Sequence, residues 1–304
     1  MAKPFDVTVV IPVYNGEDFI ADAVRSALGQ TLPPREVIVV DDGSTDSTRE
    51  VLAQFRDQIA VVRQRNMRLP AARNAGIRKA QAEWIAFLDA DDVWKPNKLE
   101  TVSQAVAAQE DVGLVFSAVE HWWPSTDRKR CRRRDSDVDC HQVYRELARR
   151  NVVLGGGSGP VVSRRCLLDV GLFDEGLVGG AEDWDMWIRI ARRWRVVYCD
   201  DVLLTYREHG ASMSKRSDLM LDYGLMVLRK HSAHFLADGI SQRILRGTAS
   251  RLYADAGIAC FCSGELSKAR SWLTKALKLD PFSAKAWVPM IKLALGIKHK
   301  AKHV

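Results

Sequence analysis

A chain of 304 residues with 47% apolar and 27% charged residues can bury a large core, and this composition excludes disordered and fibrous classes. The net charge of +7 favours anionic partners such as sugar nucleotides, phospholipid headgroups or nucleic acid. No stretch reaches the apolar length of a membrane span. The strand predicted from Val7 leaves no room for a signal peptide. Six cysteines, without a CxxC pair or metal-ligand spacing, read as reduced thiols of a cytoplasmic protein.

In chain order, Thr8 to Ile11 is a β-branched strand, and Gly16 to Leu28 has helical spacing at Phe19, Ile20, Val24 and Leu28. Glu36 to Val40 is a second strand, followed by Asp41-Asp42-Gly43-Ser44-Thr45-Asp46 and a helix through Val51, Leu52 and Phe55. Ile59 to Val62 is a third strand and Pro70 to Ala80 a third helix. This alternation predicts a parallel α/β sheet with right-handed crossovers. The fourth strand, in Glu83 to Trp94, stops on three carboxylates, Asp89, Asp91 and Asp92. Ligands of open α/β sheets bind outside the carboxyl ends of the strands. Carboxylates gathered there repel one another unless a cation balances them, and Mg²⁺ or Mn²⁺ shared with a phosphate is the natural neutraliser. Two other readings compete at this point. One is a cap for the helix after Pro96. The other is a D-x-D phosphatase of the haloacid dehalogenase type.

Pro12-Val13-Tyr14-Asn15 and Asp41-Asp42 fall on the same predicted edge as Asp89, which three unrelated helix caps explain poorly. VVIPVYNGE, VIVVDDGSTDST, AARNAGI and FLDADD, in that order, resemble the nucleotide-binding half of a family 2 glycosyltransferase with the GT-A fold. VGLFDEGLVGGAEDWDMWIRIA resembles that family's acceptor half, and YREHGASMS its closing loop, so the likeness covers residues 5 to 214. The phosphatase reading lacks a GDxxxD partner, and its nucleophile strand would normally come first.

The resemblance implies an inverting, metal-dependent transferase acting on a nucleotide sugar, most simply UDP-linked, and a saccharide or lipid-linked acceptor. Asp42 can accept a hydrogen bond from a uracil imide or ribose hydroxyl; otherwise it caps the helix near Asp46. Pro12 fixes the chain leaving the first strand, beside Asn15, and Tyr14 stacks on the base or joins the core. Arg73 and Asn74 stand early on a helix whose dipole favours anions. The family's glycine-containing lead-in is here replaced by Met67-Arg68-Leu69-Pro70. Asp91 matches the metal ligand and Asp89 serves the ribose or a water of the ion. His209 is a candidate second ligand for Mn²⁺ or Mg²⁺, and Arg207 a charge for the diphosphate. Asp183 matches the general base, with Trp184 and Trp187 as sugar-stacking or core residues.

Asp127 to Arg134 reads as a strongly basic surface loop, suited to solvent, an anionic headgroup or a phosphate-linked acceptor. Nucleic acid is not expected, because no stacking aromatics interleave with its arginines. The predicted domains are residues 1–213, catalytic, and 214–304, a helical extension with a tetratricopeptide-like repeat near 250–283. Tyr253, Gly257, Ala269, Leu273, Ala276 and Pro281 carry that spacing, with Gly264 at the turn. The tail from Ala286 to His303 mixes apolar residues and lysines, as an interfacial or repeat helix does, and Pro289 is expected to interrupt it. The extension suits a protein partner or peripheral contact with the inner face of the membrane. The reading of a different class is a non-catalytic scaffold with a decayed sugar-nucleotide fold.

Overall fold

The computed structural model describes residues 5–134, 140–209 and 217–297, so the closing loop beyond His209, the domain boundary at Met213 and the last lysines lie outside the described residues. The chain divides into two compact units. The first comprises residues 1–144, 151–178 and 182–209; the second comprises 145–150, 179–181 and 210–304.

The first unit opens with the expected alternation: β1 (Val7–Val13), α1 (Ile20–Leu28), β2 (Glu36–Asp41), α2 (Thr48–Ala53), β3 (Ala60–Arg63), α3 (Arg68–Lys79) and β4 (Trp84–Phe87). β1 is central, with β2 and β4 parallel to it on either side and β3 parallel to β2. Every residue of β1 is buried, as expected of a strand covered on both faces. An added Cβ at Gly76 of α3 would lie 2.3 Å from Val10, so this glycine lets the helix close onto β1.

The second half of the sheet is mixed. β5 (Val93–Trp94), α4 (Lys98–Ala107), β6 (Val112–Trp123), β7 (Arg128–Arg132), α5 (Cys140–Leu147), β8 (Val161–Ser163), α6 (Arg164–Val170), α7 (Glu182–Ala191) and β9 (Arg195–Arg207) complete the order β3-β2-β1-β4-β8-β6-β9-β5, with β7 beside β6. β6 and β9 run parallel, with bulges that re-aim the end of β9.

The basic segment after Asp127 is thus a strand, not a loop. No apolar alternation announces β7, because all five of its residues are exposed. Its register comes from β6 and from the turn at Asp127, whose φ is 46°. The hairpin sets Arg128 over the Trp123 ring at 4.0 Å and Lys129 over Trp122 at 5.9 Å. Aromatic and basic residues therefore do interleave here, across strands rather than along the sequence.

The second unit contains α8 (Ser217–Ala237), α9 (Gln242–Ser263), α10 (Leu266–Leu279) and α11 (Ala284–Ala294). α9 ends at Gly264, in the left-handed region at φ 86°, and α10 turns back from it. Ala254, Leu273, Ala276 and Ala286 form a buried cluster, and an added Cβ at Gly257 would sit 2.8 Å from Leu273. α11 runs through Pro289 instead of stopping there. Pro289 is the sixth of the eleven residues, where its ring removes one backbone hydrogen bond, and Ala286 and Pro289 are the buried residues of this helix. No helix among the described residues is long and apolar enough to cross a membrane.

Candidate active site

Because β1, β2, β3 and β4 are parallel, their carboxyl ends share one edge, and Pro12 to Asn15, Asp41-Asp42, Gln64 and Asp89 meet there. Pro12 is buried in β1 opposite Val40, whereas Tyr14 is 48% exposed and so is no core residue. Asn15, at φ 53°, clasps the next loop: its amide oxygen accepts from Thr45 N–H at 2.8 Å and its own N–H donates to Ser44 Oγ at 3.0 Å. Asp42 is buried and does not cap α2. Its carboxylate accepts from Gln64 Nε2 at 2.7 Å and from the backbone N–H groups of Met67 and Arg68 at 2.9 and 2.8 Å. It therefore shapes the unusual lead-in Met67-Arg68, in which Arg68 has φ 74°.

None of the three acids after β4 caps α4 either. Asp89 receives Arg73 Nη2 at 2.6 Å, Asp91 Oδ2 lies 2.8 Å from His209 Nε2, and Asp92 Oδ1 accepts from Arg207 N–H at 3.0 Å. The trio is short of positive charge. Burial, and then Asp91 and Asp89, raise the Asp92 carboxyl well above the ordinary range. Burial, then Asp89, raises Asp91 as well, with the His209 bond opposing. Half-buried Tyr206 is pushed up by its burial first and then by the same three carboxylates. One oxygen of Asp92 lacks a partner. An added divalent cation would relieve this repulsion.

Among the described residues no cluster of three or more His, Cys, Asp or Glu stands in metal-ligating geometry. The donor set nevertheless fits a hard divalent ion that takes one or two protein ligands and leaves the rest to phosphate and water. Asp91 and His209 would be that pair, and the imidazole stacks on Phe19 with centroids 5.2 Å apart.

Arg73, read in the sequence as an anion-facing residue early on its helix, is buried. Its side chain is 1% exposed, with Nη1 2.7 Å from Glu182 Oε1 and Nη2 on Asp89. Burial works against its charge, but Asp89 and Glu182 outweigh that and raise its pKa further. Gly157 makes room for it: an added Cβ there would fall 1.9 Å from Nη2. Asn74 likewise faces inward, donating to the Phe173 carbonyl and Glu175 at 2.9 Å each and accepting from Phe173 N–H at 2.9 Å. Arg207 lies between Phe19 and Trp122, 5.0 and 5.6 Å from their ring centres, and reaches Asp22 at 3.1 Å.

Asp183, at the start of α7, is half-buried. Its Oδ2 accepts from Asn151 Nδ2 at 2.9 Å and its Oδ1 from Trp184 N–H at 2.7 Å. Burial raises its pKa, opposed by Arg73. Trp184 and Trp187 are both buried, so neither offers an open face to a sugar. The sequence reading missed Asn151, Glu182, Ser158 and Lys98. Ser158 Oγ accepts from Asp89 N–H at 3.0 Å, and buried Lys98 donates to the Gly159 carbonyl at 2.7 Å. The signal for both was the unread run Gly155-Gly156-Gly157-Ser158-Gly159, which packs against the acid cluster.

Residues 8–175 match the profile described as glycosyl transferase family 2. The chain belongs to glycosyltransferase family 2. The phosphatase reading of the D-x-D strand falls with that match. Family 2 relatives include a Bacillus subtilis glycosyltransferase named for teichuronic acid biosynthesis, 46% identical over 102 residues, 32% of this chain and 40% of that one. The aligned stretch spans between about a third and two thirds of the length of the curated relatives it matches. The fold of this family 2 chain is similar to that of Staphylococcus aureus TarS 1–349 in complex with UDP-GlcNAc (TM-score 0.60, 15% identity, 96% of this chain and 92% of that one). It is similar also to a mannosyltransferase of Pyrobaculum calidifontis in complex with GDP-Man and Mn²⁺ (TM-score 0.63, 21% identity, 98% and 82%). These likenesses establish the GT-A fold, followed by C-terminal helices.

Proposed function

We propose that this chain transfers a sugar from a nucleotide diphosphate, most simply UDP, to a hydroxyl of a saccharide or lipid-linked acceptor, with inversion, in polysaccharide or glycolipid synthesis. The observation that carries the reading is the guanidinium of Arg73, buried between Asp89 at the donor edge and Glu182 beside Asp183. One rigid group thereby ties the donor edge to the start of the helix that carries Asp183.

Asp183 is the general base. Asn151 and Trp184 N–H hold the carboxylate in one orientation and leave lone pairs for the acceptor proton. One base without a separate nucleophile means a single displacement and hence inversion. Asp42 uses about three of roughly four acceptor positions on its own loop, leaving one for a base or ribose donor. Exposed Tyr14 offers its ring to the base, Asn15 and Pro12 hold that wall, and Asn74 keeps α3 against the 173–175 turn. Arg207 supplies positive charge towards the diphosphate, and Asp91 with His209 would hold Mn²⁺ or Mg²⁺. Such an ion, when bound, neutralises charge on the departing diphosphate. The Mn²⁺ complex of the Pyrobaculum relative and the UDP-GlcNAc complex of TarS support a metal and a nucleotide sugar. A sugar-nucleotide donor fits an activity in the cytoplasm.

Screening nucleotide sugars for thermal stabilisation with and without Mn²⁺ tests the reading. Metal-dependent stabilisation by a nucleotide sugar, with turnover, is expected. A chain that binds none of them and turns none over is the scaffold instead.

A further inference from the structure

The helical unit holds a cavity of about 800 Å³ that the catalytic reading does not use. Four arginines line it, Arg149, Arg243, Arg246 and Arg251, against a single carboxylate, Asp280. Asp280 is itself engaged, its Oδ1 accepting from Phe282 N–H at 3.1 Å. Among the described residues Arg149, Arg243 and Arg246 have no carboxylate within 4 Å, and Arg251 makes only a loose contact with Asp255 at 3.7 Å. Guanidinium forks gathered without counter-charge suit phosphate oxygens.

The rim is apolar. Phe282 lines the cavity yet is 90% exposed. Trp287 donates its indole N–H to the carbonyl of Pro281, another lining residue, at 2.7 Å. From there an exposed stripe runs along α11 at four-residue intervals: Trp287, Ile291 and, just past its end, Leu295, which are 46%, 51% and 68% exposed. This is not the face that packs: Ala286, Met290 and Leu293 lie against the α9–α10 clusters. α11 is thus apolar on two sides, one of them spare.

We propose that the helical unit is a peripheral membrane site, in which the cavity takes the phosphate of an anionic phospholipid while Phe282, Trp287, Ile291 and Leu295 enter the interface. A cationic cup bordered by aromatic and aliphatic side chains matches the order of a lipid leaflet, phosphate outside and hydrocarbon beneath. A soluble phosphate ligand would leave the stripe unexplained, and a second protein copy would leave the arginines so.

The full chain is sedimented with vesicles of mixed phosphatidylglycerol and phosphatidylcholine, or of phosphatidylcholine alone. Binding is expected only to the mixed vesicles, weakening as salt rises. Arg243→Glu with Arg246→Glu should lower it at least ~30-fold, since each basic residue contributes roughly fivefold at an anionic surface. Ile291→Ser with Leu295→Ser should lower it roughly tenfold. All four positions are exposed or half-exposed, and an unchanged circular dichroism melt establishes that the variants fold. Equal binding to both vesicle types overturns the proposal, as does full binding by either folded variant. So does binding of glycerol phosphate without vesicle attachment, or a dimer that Ile291→Ser with Leu295→Ser dissolves.

Discussion

Two regions of this molecule concentrate charge of opposite sign, and they handle it differently. At the sheet edge Asp89, Asp91 and Asp92 crowd together, and the fold supplies partial answers: Arg73 for Asp89, His209 for Asp91 and one backbone N–H for Asp92. In the helical unit four arginines share a cavity with almost no internal answer. The acid edge is preorganised, its carboxylates aimed by buried partners that lose no entropy when a ligand arrives. The arginine cup is more open, its side chains held among the described residues only by a carbonyl for Arg246 and a loose contact with Asp255 for Arg251, as suits a fluid or variable partner. Partnering distinguishes the two sites more clearly than charge does.

The widest break in that comparison comes from the acid edge. Asp91→Asn should cut transfer by ~10³-fold or more and remove Mn²⁺-dependent stabilisation by UDP, while the fold persists. Wild-type metal response in this variant would reassign the ligand. Asp183→Asn keeps the shape and loses the proton acceptor, so kcat should fall by ~10²–10⁴ with donor KM little changed. Its pKa is raised in the fold, so wild-type activity should be lost on acidification sooner than an ordinary carboxylate would predict. A matching loss of donor binding would make Asp183 structural.

A third test concerns stability. Burial lowers the Lys98 pKa to about 7, whereas an unfolded lysine stays protonated to about pH 10.4. The unfolded chain then binds the extra proton between those values, and this group's contribution to stability rises with pH across the window. Below pH 7 its penalty is complete. Wild type should therefore gain on Lys98→Met by up to about 1.4 kcal/mol per pH unit between pH 7 and 10, read from paired urea titrations. A constant difference would mean that Lys98 stays charged on the Gly159 carbonyl. The smallest effect is expected of Arg73→Lys, which keeps a charge but cannot fork between Asp89 and Glu182. With Arg73 less able to hold the base ionised, the acid limb of the rate profile should move to higher pH by roughly half a unit. An unmoved limb would uncouple Arg73 from Asp183.

The sequence made the parallel half of the fold legible, because β1, β2 and β4 are continuous apolar runs separated by helical spacing. It also brought Asp42, Asp89 and Asp91 to one edge, since strand ends and acids coincide in the chain. What it could not carry were pairings between distant segments. Arg73 meets Glu182 across 109 residues, and Asn151 meets Asp183 from a stretch with no motif. Nothing in the sequence therefore marked Arg73 as a buried bridge between two carboxylates. β7 was hidden for the opposite reason, since nothing in a row of basic residues alternates. The arginine cup draws on residues 149 to 282 and has no sequence signature.

β7 has a consequence for the molecule's behaviour in concentrated solution. It is an outer strand of a nine-stranded sheet, and such a strand ordinarily offers unpaired N–H and carbonyl groups on which another chain can grow. Here Arg128, Lys129, Arg130 and Arg132 line that border, every one of them exposed. An approaching copy would have to bring its own row of cations alongside, without water between them. The border thus repels its own kind, and the sheet ends where β7 does.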